Sequence, residues 1–391
     1  MRYLVETKVM IQVINYTHDQ PSDVVTKQLL EVLQDIVNKV KIHSDFSIRH
    51  PDYKPLEIPT EVVERFHKLP EDIQQKYLSL NLQSFLYGIY YNGSMRTALA
   101  PEKDRNAPPL DLENNTILGI DVEFYQRLHK NNTGEGYFDP GWSILREESD
   151  GSLVVTKGGL KLYIEHNKHL PISEKSPVVG NLVAIRMPKN QVQNGFYRAV
   201  GNLGFHRLDY SDSSVLVRVY FNLTPEGAVV VMGSLTRRLN EIEIPFSFKV
   251  LYNPKDYERQ DSGVLYFDKS DYEVVEEVLK TIYAEHRFHF QTETPLFTKQ
   301  LAPGVGLAEE PNFQFAEQES FGTNRCQIIA NGLLEAWYQG DNSSQGRMKT
   351  ILQQFSTLGI DVQCVHLNAK SKDIYKCLDI SSSKTLNERK V

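Results

Sequence analysis

The sequence predicts an α+β protein, with an N-terminal helical region followed by a mixed α/β domain that has a central, largely antiparallel sheet. Two observations predict this order. Between residues 21 and 130, apolar residues recur at spacings of three and four, which is typical of amphipathic helices. Beyond Asp150 the chain changes to short β-prone runs separated by glycine and by Lys-Asn turns.

The N-terminal helical region is predicted to span residues 1–140. Stretches rich in proline, asparagine and glycine, at residues 100–115 and 131–141, indicate its end. The α+β domain is expected over residues 150–340, and residues 341–391 form a C-terminal extension. The strongest helical spacing in the first region is carried by Val25, Leu29, Val32, Leu33, Ile36, Val37 and Val40.

A strand is predicted over residues 215–223, where apolar and polar side chains alternate. Successive side chains of a strand point to opposite faces, so Arg218, Tyr220 and Asn222 should share one face. Val217, Val219 and Phe221 should then face the core, which leaves a polar surface on a buried strand.

A second strand is predicted over residues 245–251, with Lys249 on the face opposite Phe246 and Phe248. Between the two strands, Thr224 and a following proline are typical of a helix start. A strand, helix, strand unit places both strands in one sheet. Arg218, Tyr220 and Lys249 should therefore line one pocket, which Arg259 reaches from the loop before a strand at residues 262–267.

Later elements follow from local signals. Ser270 and Glu273 have the spacing of a capping box and open a helix. Residues 323–338 predict another helix, with Arg325 in its first turn, where backbone N–H groups favour anions. Residues 297–320 read as a long functional loop without regular structure, in which Pro303 and Gly304 set a turn. Residues 360–367 are a possible strand, and those from Ser381 onward are expected to be loose.

Composition excludes several classes of protein. The 391 residues are 40% hydrophobic and 24% charged, as in ordinary soluble proteins, and a net charge of -7 argues against a nucleic-acid partner. Three cysteines near the end of the chain favour a reducing compartment. No run approaches the ~20 apolar residues of a membrane span, so we expect a cytoplasmic protein without a membrane partner.

The stretch from Arg218 onward resembles the HopA-type effector family in five blocks that occur in order. The likeness covers roughly residues 150–337. Members of this family occur as type III effectors of plant pathogens, and relatives act in class V lanthipeptide and thioamitide biosynthesis. The five blocks are RVYFN, PFSFKV, ERQDSGVLYF, TPLFTKQLAPGVGLAEEP and SFGTNRCQIIANGL.

The resemblance implies a phosphoserine or phosphothreonine lyase. A partner Ser/Thr kinase-like protein phosphorylates a precursor peptide, and the lyase eliminates phosphate to give dehydroalanine or dehydrobutyrine. Related lyases place a Lys-x-His motif before a lysine base, whereas this sequence has Arg218 and Tyr220 at those positions. The implied roles are Lys249 as base, Tyr220 as acid, Arg218, Arg259 and Arg325 as phosphate ligands, and Asn222 and Asp261 as supporting residues.

Elimination needs a base close to the α-proton of the phosphorylated residue, and groups that accept charge on the carbonyl and on the phosphate. A lysine is a poor base while it is protonated, and neighbouring cations together with partial burial favour its neutral amine. Planar guanidinium groups match phosphate oxygens in pairs. The reaction activates no water, so no metal and no other cofactor is expected.

Other interpretations of the same residues stay open. Lys249 can be an ordinary exposed strand lysine, and Arg218 with Tyr220 can form a cross-strand polar pair. Arg259 can pair with Asp261 or Glu258 without any chemical role. The alternative function is a non-catalytic effector or scaffold module that binds a phosphopeptide or a kinase.

Overall fold

The computed structural model describes residues 24–101, 116–117, 119–173, 178–205, 214–317 and 319–378. The α+β class is confirmed, because helices and antiparallel sheets both occur throughout these ranges. None of the described helices is long and apolar enough to cross a membrane. The predicted loose segment beyond Ser381 lies outside the described residues.

The first part of the described chain is helical, as predicted, but a small three-stranded antiparallel sheet interrupts it. The long helices bury one apolar face each, through residues such as Leu33 and Leu82. The elements are α1 (Val24–Lys39), β1 (Lys41–Ile42), β2 (Ile48–His50), β3 (Tyr53–Leu56), α2 (Thr60–Phe66), α3 (Glu71–Leu86), a π-helical turn (Tyr87–Tyr91) and α4 (Arg96–Leu99).

A second group of elements forms a four-stranded antiparallel sheet with a small core of its own, around Trp142 and Val155. Its elements are β6 (Tyr137–Glu147), β7 (Ser152–Lys157), β8 (Leu160–Glu165), α6 (His166–His169) and β9 (Leu182–Met187), and its strands run in the order β8, β7, β6, β9. Earlier in the chain, β4 (Thr116–Ile117) and β5 (Ile120–Asp121) form a separate two-stranded sheet, and α5 (Val122–Asn131) packs in a different core.

The central element is a seven-stranded sheet in the order β10, β11, β13, β14, β12, β16, β15, and every ladder in it is antiparallel. Its middle strands are almost continuously buried. The strands are β10 (Asn190–Gln193), β11 (Phe196–Val200), β12 (Leu216–Phe221), β13 (Ser247–Leu251), β14 (Gly263–Asp268), β15 (Lys299–Ala302) and β16 (Val305–Glu309).

Helices cover both faces of this sheet. On one face lie α7 (Pro225–Glu241) and α8 (Tyr272–His286), whose apolar residues share a core with Val219 and Phe248. On the other face, α9 (Phe321–Tyr338) packs with α1, α3 and α10 (Ser344–Thr357) over Tyr220 and Val264. The N-terminal helices therefore share a core with the end of the described chain, and the predicted division into domains stays a prediction.

The strand, helix, strand prediction is confirmed for β12, α7 and β13. Thr224 is the N-cap of α7, and its hydroxyl accepts a hydrogen bond from the Gly227 amide at 3.1 Å. Pro225 occupies the first turn of α7, where backbone N–H groups have no acceptor within the helix, so the N–H that proline lacks is not needed there. The two strands lie in one sheet, but β14 is inserted between them.

The predicted loop over residues 297–320 is wrong in its first half, which forms the β15–β16 hairpin. Gly304 sits at its turn with φ +76°, and a β-carbon there would lie 2.0 Å from the Gln291 carbonyl oxygen. The turn prediction was therefore right, although the glycine and proline content concealed the flanking strands.

Three further element boundaries differ from the prediction. Residues 360–367 contain a 3₁₀ turn, Val362–Cys364, instead of a strand. Helix α9 begins two residues earlier than expected, after the N-cap Ser320, so Arg325 lies beyond its first turn. Before α8, the Asp268 carboxylate accepts from the Ser270 amide and a 3₁₀ turn precedes the helix.

Candidate functional site

The strand parity that the sequence predicts is confirmed. Val217, Val219 and Phe221 belong to the core beneath α7 and α8, whereas Tyr220 packs in the core on the opposite face. Lys249 is likewise the half-buried member of a strand whose other residues are buried. Each pattern arises because alternate side chains leave opposite faces of the pleated backbone.

The register places Arg218, Tyr220 and Lys249 on one face. Lys249 and Tyr220 are both cross-strand partners of Val264 on β14, which lies between them. Arg218 is paired with Tyr266, the next residue of β14 on that face. The intervening strand therefore separates Lys249 from Tyr220 and brings Tyr266 between Lys249 and Arg218.

Tyr266 lies between Arg218 and Lys249 on this face. The Arg218 guanidinium carbon lies 5.1 Å from the centre of its ring, and the Lys249 ammonium nitrogen 5.5 Å from it. Burial opposes ionisation of the phenol, yet the Arg218 and Lys249 cations outweigh it and lower the pKa of Tyr266. The sequence contained a signal for Tyr266, since it alternates with Leu265 and Phe267 on β14.

Arg198 on β11 is a second residue that the sequence analysis missed. It is the direct cross-strand partner of Lys249, so two cations face each other across the ladder. Its guanidinium donates to the Ser247 hydroxyl at 3.2 Å and stacks 4.7 Å from the Phe205 ring, while its Nε has no described hydrogen-bond partner. Burial and the nearby Arg218 charge lower the pKa of Arg198.

Like charges placed directly opposite each other destabilise a sheet unless an anion compensates them. The two carboxylates at this face are held by other residues: Glu310 pairs with Arg218, and Asp261 pairs with Arg259. Within the described ranges, no carboxylate forms an ion pair with Arg198 or Lys249. Among the described residues, the positive charges of Arg198 and Lys249 beside Tyr266 therefore have no carboxylate partner.

Arg259 reaches the same face, as predicted, from the loop before β14. Its guanidinium binds Asp261 through two hydrogen bonds of 2.5 and 2.8 Å. The Phe196 ring lies between Arg259 and Lys249, with its centre 5.8 Å from the guanidinium carbon and 4.5 Å from the ammonium nitrogen. Asn92 also donates to Asp261, at 3.2 Å, so the carboxylate fixes the position of Arg259.

Arg218 is buried, with 9% of its surface exposed, and its Nε donates to the Glu310 carboxylate. Burial alone would lower the pKa of Arg218, but Tyr266, Tyr220 and Glu310 together hold it well above the ordinary value. Arg198, Lys249, Tyr266, Arg259 and Glu310 are all half-buried. A ligand can therefore reach the face without opening the core.

Tyr220 is buried more deeply than the predicted role of a proton donor implies. Only 3% of its surface is exposed, and its ring packs 6.4 Å from both Tyr91 and Phe321. Its hydroxyl has no hydrogen-bond partner among the described residues, and burial raises the pKa of Tyr220. The N-terminal helical region covers this end of the face, which the alternation of residues along the strand could not predict.

Arg325 is not brought to the cluster. It is 1% exposed, and its guanidinium donates to the carbonyl oxygens of Val365 and Leu367 at 2.9 and 3.0 Å. A further bond of 2.6 Å joins it to the Asn324 side chain. Burial is the main influence and lowers the pKa of Arg325 to about 10. In this position, the residue joins α9 to the chain that follows α10.

Asn222 also has a structural position. Its side-chain amide donates to the Glu293 carbonyl oxygen at 3.0 Å, and its backbone joins Gly304 and Gln291. It thereby anchors the segment that precedes β15 and takes no part in the basic face.

A cleft of about 620 Å³ lies beside the π-helical turn, at some remove from the basic face. Gln260, the neighbour of Arg259, lines it and donates to Glu293 at 2.5 Å. Elsewhere in the described ranges, no group of three or more His, Cys, Asp and Glu residues is arranged to hold a metal ion.

The fold and the site define an α+β protein whose seven-stranded antiparallel sheet has helices on both faces and an open basic cluster on one of them. The model of the HopA1 effector protein family matches residues 187–367, which include the whole of that sheet. Over these residues the chain is similar to this family.

Solved structures of two bacterial effector proteins are similar to this chain. One is the effector protein from Pseudomonas syringae pv. syringae strain 61, with 12% identity, a TM-score of 0.43, and coverage of 89% of this chain and 100% of that protein. The other, from Pseudomonas syringae pv. tomato strain DC3000, has 15% identity, a TM-score of 0.38, and coverage of 79% and 97%. No curated protein matches the chain.

Proposed function

We propose that the protein is a phosphoserine or phosphothreonine lyase, which eliminates phosphate from a phosphorylated precursor peptide to give dehydroalanine or dehydrobutyrine. The observation that carries this proposal is the pair of opposed cations, Arg198 and Lys249, which no described carboxylate compensates. The similarity of residues 187–367 to the HopA1 effector protein family supports a role toward another protein or peptide.

The charge of the site suits a phosphate ester. Arg198, Arg218, Lys249 and Arg259 carry positive charge, and Glu310 and Asp261 together offset half of it. A phosphoserine brings about -1.5 to -2 charges at neutral pH, which matches the remainder. Arg198 forms no ion pair with a described carboxylate, so it can bind phosphate without giving one up.

Lys249 is the proposed base. It lies at the centre of the open face, between Arg198 and the Tyr266 and Phe196 rings. The nearby guanidinium groups of Arg198, Arg218 and Arg259 hold the phosphate, while the Lys249 amine accepts the α-proton. Asp261 and Glu310 act on the reaction indirectly, because they fix the directions of Arg259 and Arg218.

The partners follow from the reaction. The substrate is a peptide with a phosphorylated Ser or Thr, and a partner Ser/Thr kinase-like protein has to supply the phosphate. The half-buried state of the cluster favours an extended peptide segment, whose phosphorylated side chain can reach into the face.

The test uses synthetic phosphoserine and phosphothreonine peptides, with mass spectrometry to detect the loss of phosphoric acid. We expect the full chain to eliminate phosphate, and Lys249→Ala to abolish elimination while it retains most phosphopeptide binding. The exposed Lys255→Ala is the matched control and should behave as the parent protein. Binding that survives in both variants, with no turnover by any of the proteins, would instead identify a phosphopeptide- or kinase-binding module.

A further inference from the structure

The resemblance implies Tyr220 as the proton donor for the leaving phosphate, but this residue lies deep in the structure. Tyr220 is enclosed by Tyr91 and Phe321, and only 3% of its surface is exposed. A general acid has to come within hydrogen-bond distance, about 2.6–3.2 Å, of the atom that it protonates. A peptide phosphate on the open face cannot approach the Tyr220 hydroxyl that closely while these rings stay packed.

Tyr266 has the same functional group in an accessible position. It is half-buried, and it lies on β14 between the strands that carry Lys249 and Arg218. The Lys249 ammonium nitrogen is 5.5 Å from the centre of its ring, and the Arg218 guanidinium carbon is 5.1 Å from it. The base and the phenol are thus already neighbours before any substrate binds.

Charged groups surround this pair from several strands. Cations dominate its surroundings, and they favour loss of one proton from the pair as a whole. The titratable and charged groups that face Tyr266 are Lys249, Arg218, Arg198, Glu310 and Tyr220.

We propose that Tyr266 is the general acid of the elimination and that it shares a single proton with Lys249. This inference rests on the proposed lyase function. It assigns a catalytic role to a residue that contacts both the base and the phosphate-binding Arg218.

The step is balanced in protons and electrons. The neutral Lys249 amine takes the Cα proton, and the electron pair of that C–H bond forms the Cα=Cβ double bond. The Cβ–O bond breaks and its electron pair goes to the phosphate oxygen, which receives the Tyr266 proton and leaves as hydrogen phosphate. The Lys249 ammonium then returns a proton to the neighbouring Tyr266 phenolate, so the site resets without an external acid or base.

The test compares Tyr266→Phe with Tyr220→Phe, which removes the same hydroxyl from the same face of the sheet. With a phosphoserine peptide, we expect Tyr266→Phe to lower kcat by about 100-fold to 10,000-fold with little change in KM. Tyr220→Phe should change kcat by less than about 3-fold, because its buried hydroxyl has no hydrogen-bond partner among the described residues and no access to the substrate.

The pH profile distinguishes a catalytic role from a structural one. The parent protein should lose activity at high pH as the shared proton is lost, and Tyr266→Phe should lack this alkaline limb. Tyr266→His restores a titratable donor and should return an alkaline limb about three pH units lower, as the ordinary pKa values of imidazole and phenol require. Circular dichroism confirms that each variant is folded.

Two results separate this inference from the lyase function itself. If Tyr266→Phe keeps the parent kcat and the parent alkaline limb, the assignment of Tyr266 is overturned and the lyase stands. If the parent protein releases no dehydrated product from phosphopeptides that it binds, the lyase function fails and the assignment fails with it.

Discussion

The same seven-stranded sheet carries two ionic clusters that are built in opposite ways. On β16, beside the edge strand β15, the fully buried Glu309 carboxylate accepts hydrogen bonds from Lys269, Ser371, Tyr375 and the Asn368 amide, between 2.6 and 2.9 Å. Near its other side, Arg198 and Lys249 face each other without a described carboxylate.

The difference indicates which charges serve the fold. A buried charge is tolerated when partners satisfy it, and Glu309 collects its partners from segments far apart in sequence. Within the described ranges Arg198 and Lys249 have no such carboxylate partners, and both are half-buried, so a ligand can reach their charge. Variants of the two clusters should therefore separate stability from binding.

The largest effect is expected at the saturated cluster. Glu309→Gln leaves the Lys269 ammonium, 17% exposed, without its carboxylate, and we expect the free energy of unfolding to fall by about 3–5 kcal/mol. Urea denaturation measures it. Glu310→Gln is the matched control, because its carboxylate is more exposed, and it should cost less than about 2 kcal/mol. Equal losses in the two variants would contradict the comparison.

A somewhat smaller loss is expected at Arg325. Arg325→Met preserves much of the side-chain volume but leaves the Val365 and Leu367 carbonyl oxygens unpaired, at a cost of about 2–4 kcal/mol. Phosphopeptide affinity should not change, since the guanidinium is 1% exposed and lies away from the basic face. A drop in affinity in folded protein would restore Arg325 to the phosphate site.

The pH dependence of stability should come from the saturated side. Burial is the main influence on His366 and lowers its pKa to about 4, from an ordinary 6.5. Between these values the unfolded chain binds a proton that the folded chain does not, so stability falls as the pH is lowered. The slope reaches about 1.4 kcal/mol per pH unit.

His366→Gln should remove this slope in urea titrations between pH 6.5 and 4, and exposed His43→Gln should leave it in place. At lower pH, protonation of Glu309 causes a second loss of stability in every variant that retains this residue. Burial raises its pKa, but the bonds from Asn368 and Lys269 outweigh burial and lower it, so its stabilisation disappears as the carboxylate is protonated. An unchanged slope in His366→Gln would assign the acid sensitivity to other groups.

The smallest effect on stability is expected at the unsaturated cluster. Arg198→Met removes a cation that opposes Lys249, so stability should stay the same or rise by up to about 1 kcal/mol. Phosphopeptide affinity should fall by about 10-fold to 100-fold, which isothermal titration calorimetry measures. Arg198→Lys keeps the charge and should lose less affinity. A destabilised Arg198→Met protein would show that the cation serves the fold.

Sequence patterns predicted the local parts of this site correctly, because alternation along a strand depends on neighbouring residues alone. The opposite faces of Val219 and Tyr220 follow from such alternation, and the N-cap at Thr224 follows from the proline after it. The depth of Tyr220 cannot be predicted in this way, because Tyr91, far away in sequence, covers it.

The residues that were missed depend on long-range pairing. Arg198 lies opposite Lys249 only because β11 joins β13, a pairing that the intervening helix and loop do not encode. Tyr266 alternates with Leu265 and Phe267, but its position between Lys249 and Arg218 depends on the insertion of β14 between β12 and β13. The roles expected of Arg325 and Asn222 came from motif order, which carries no information about the carbonyl groups that these side chains bind.

Lys249 and Tyr266 are on inner strands that are hydrogen-bonded along both edges. Such strands exchange their amide hydrogens only when the whole cooperative unit opens, unlike residues on loops or lids. The relative positions of this amine and this phenol are consequently as durable as the sheet itself. Heat should therefore abolish any turnover at the temperature at which the protein melts, without an earlier phase of inactive but folded molecules.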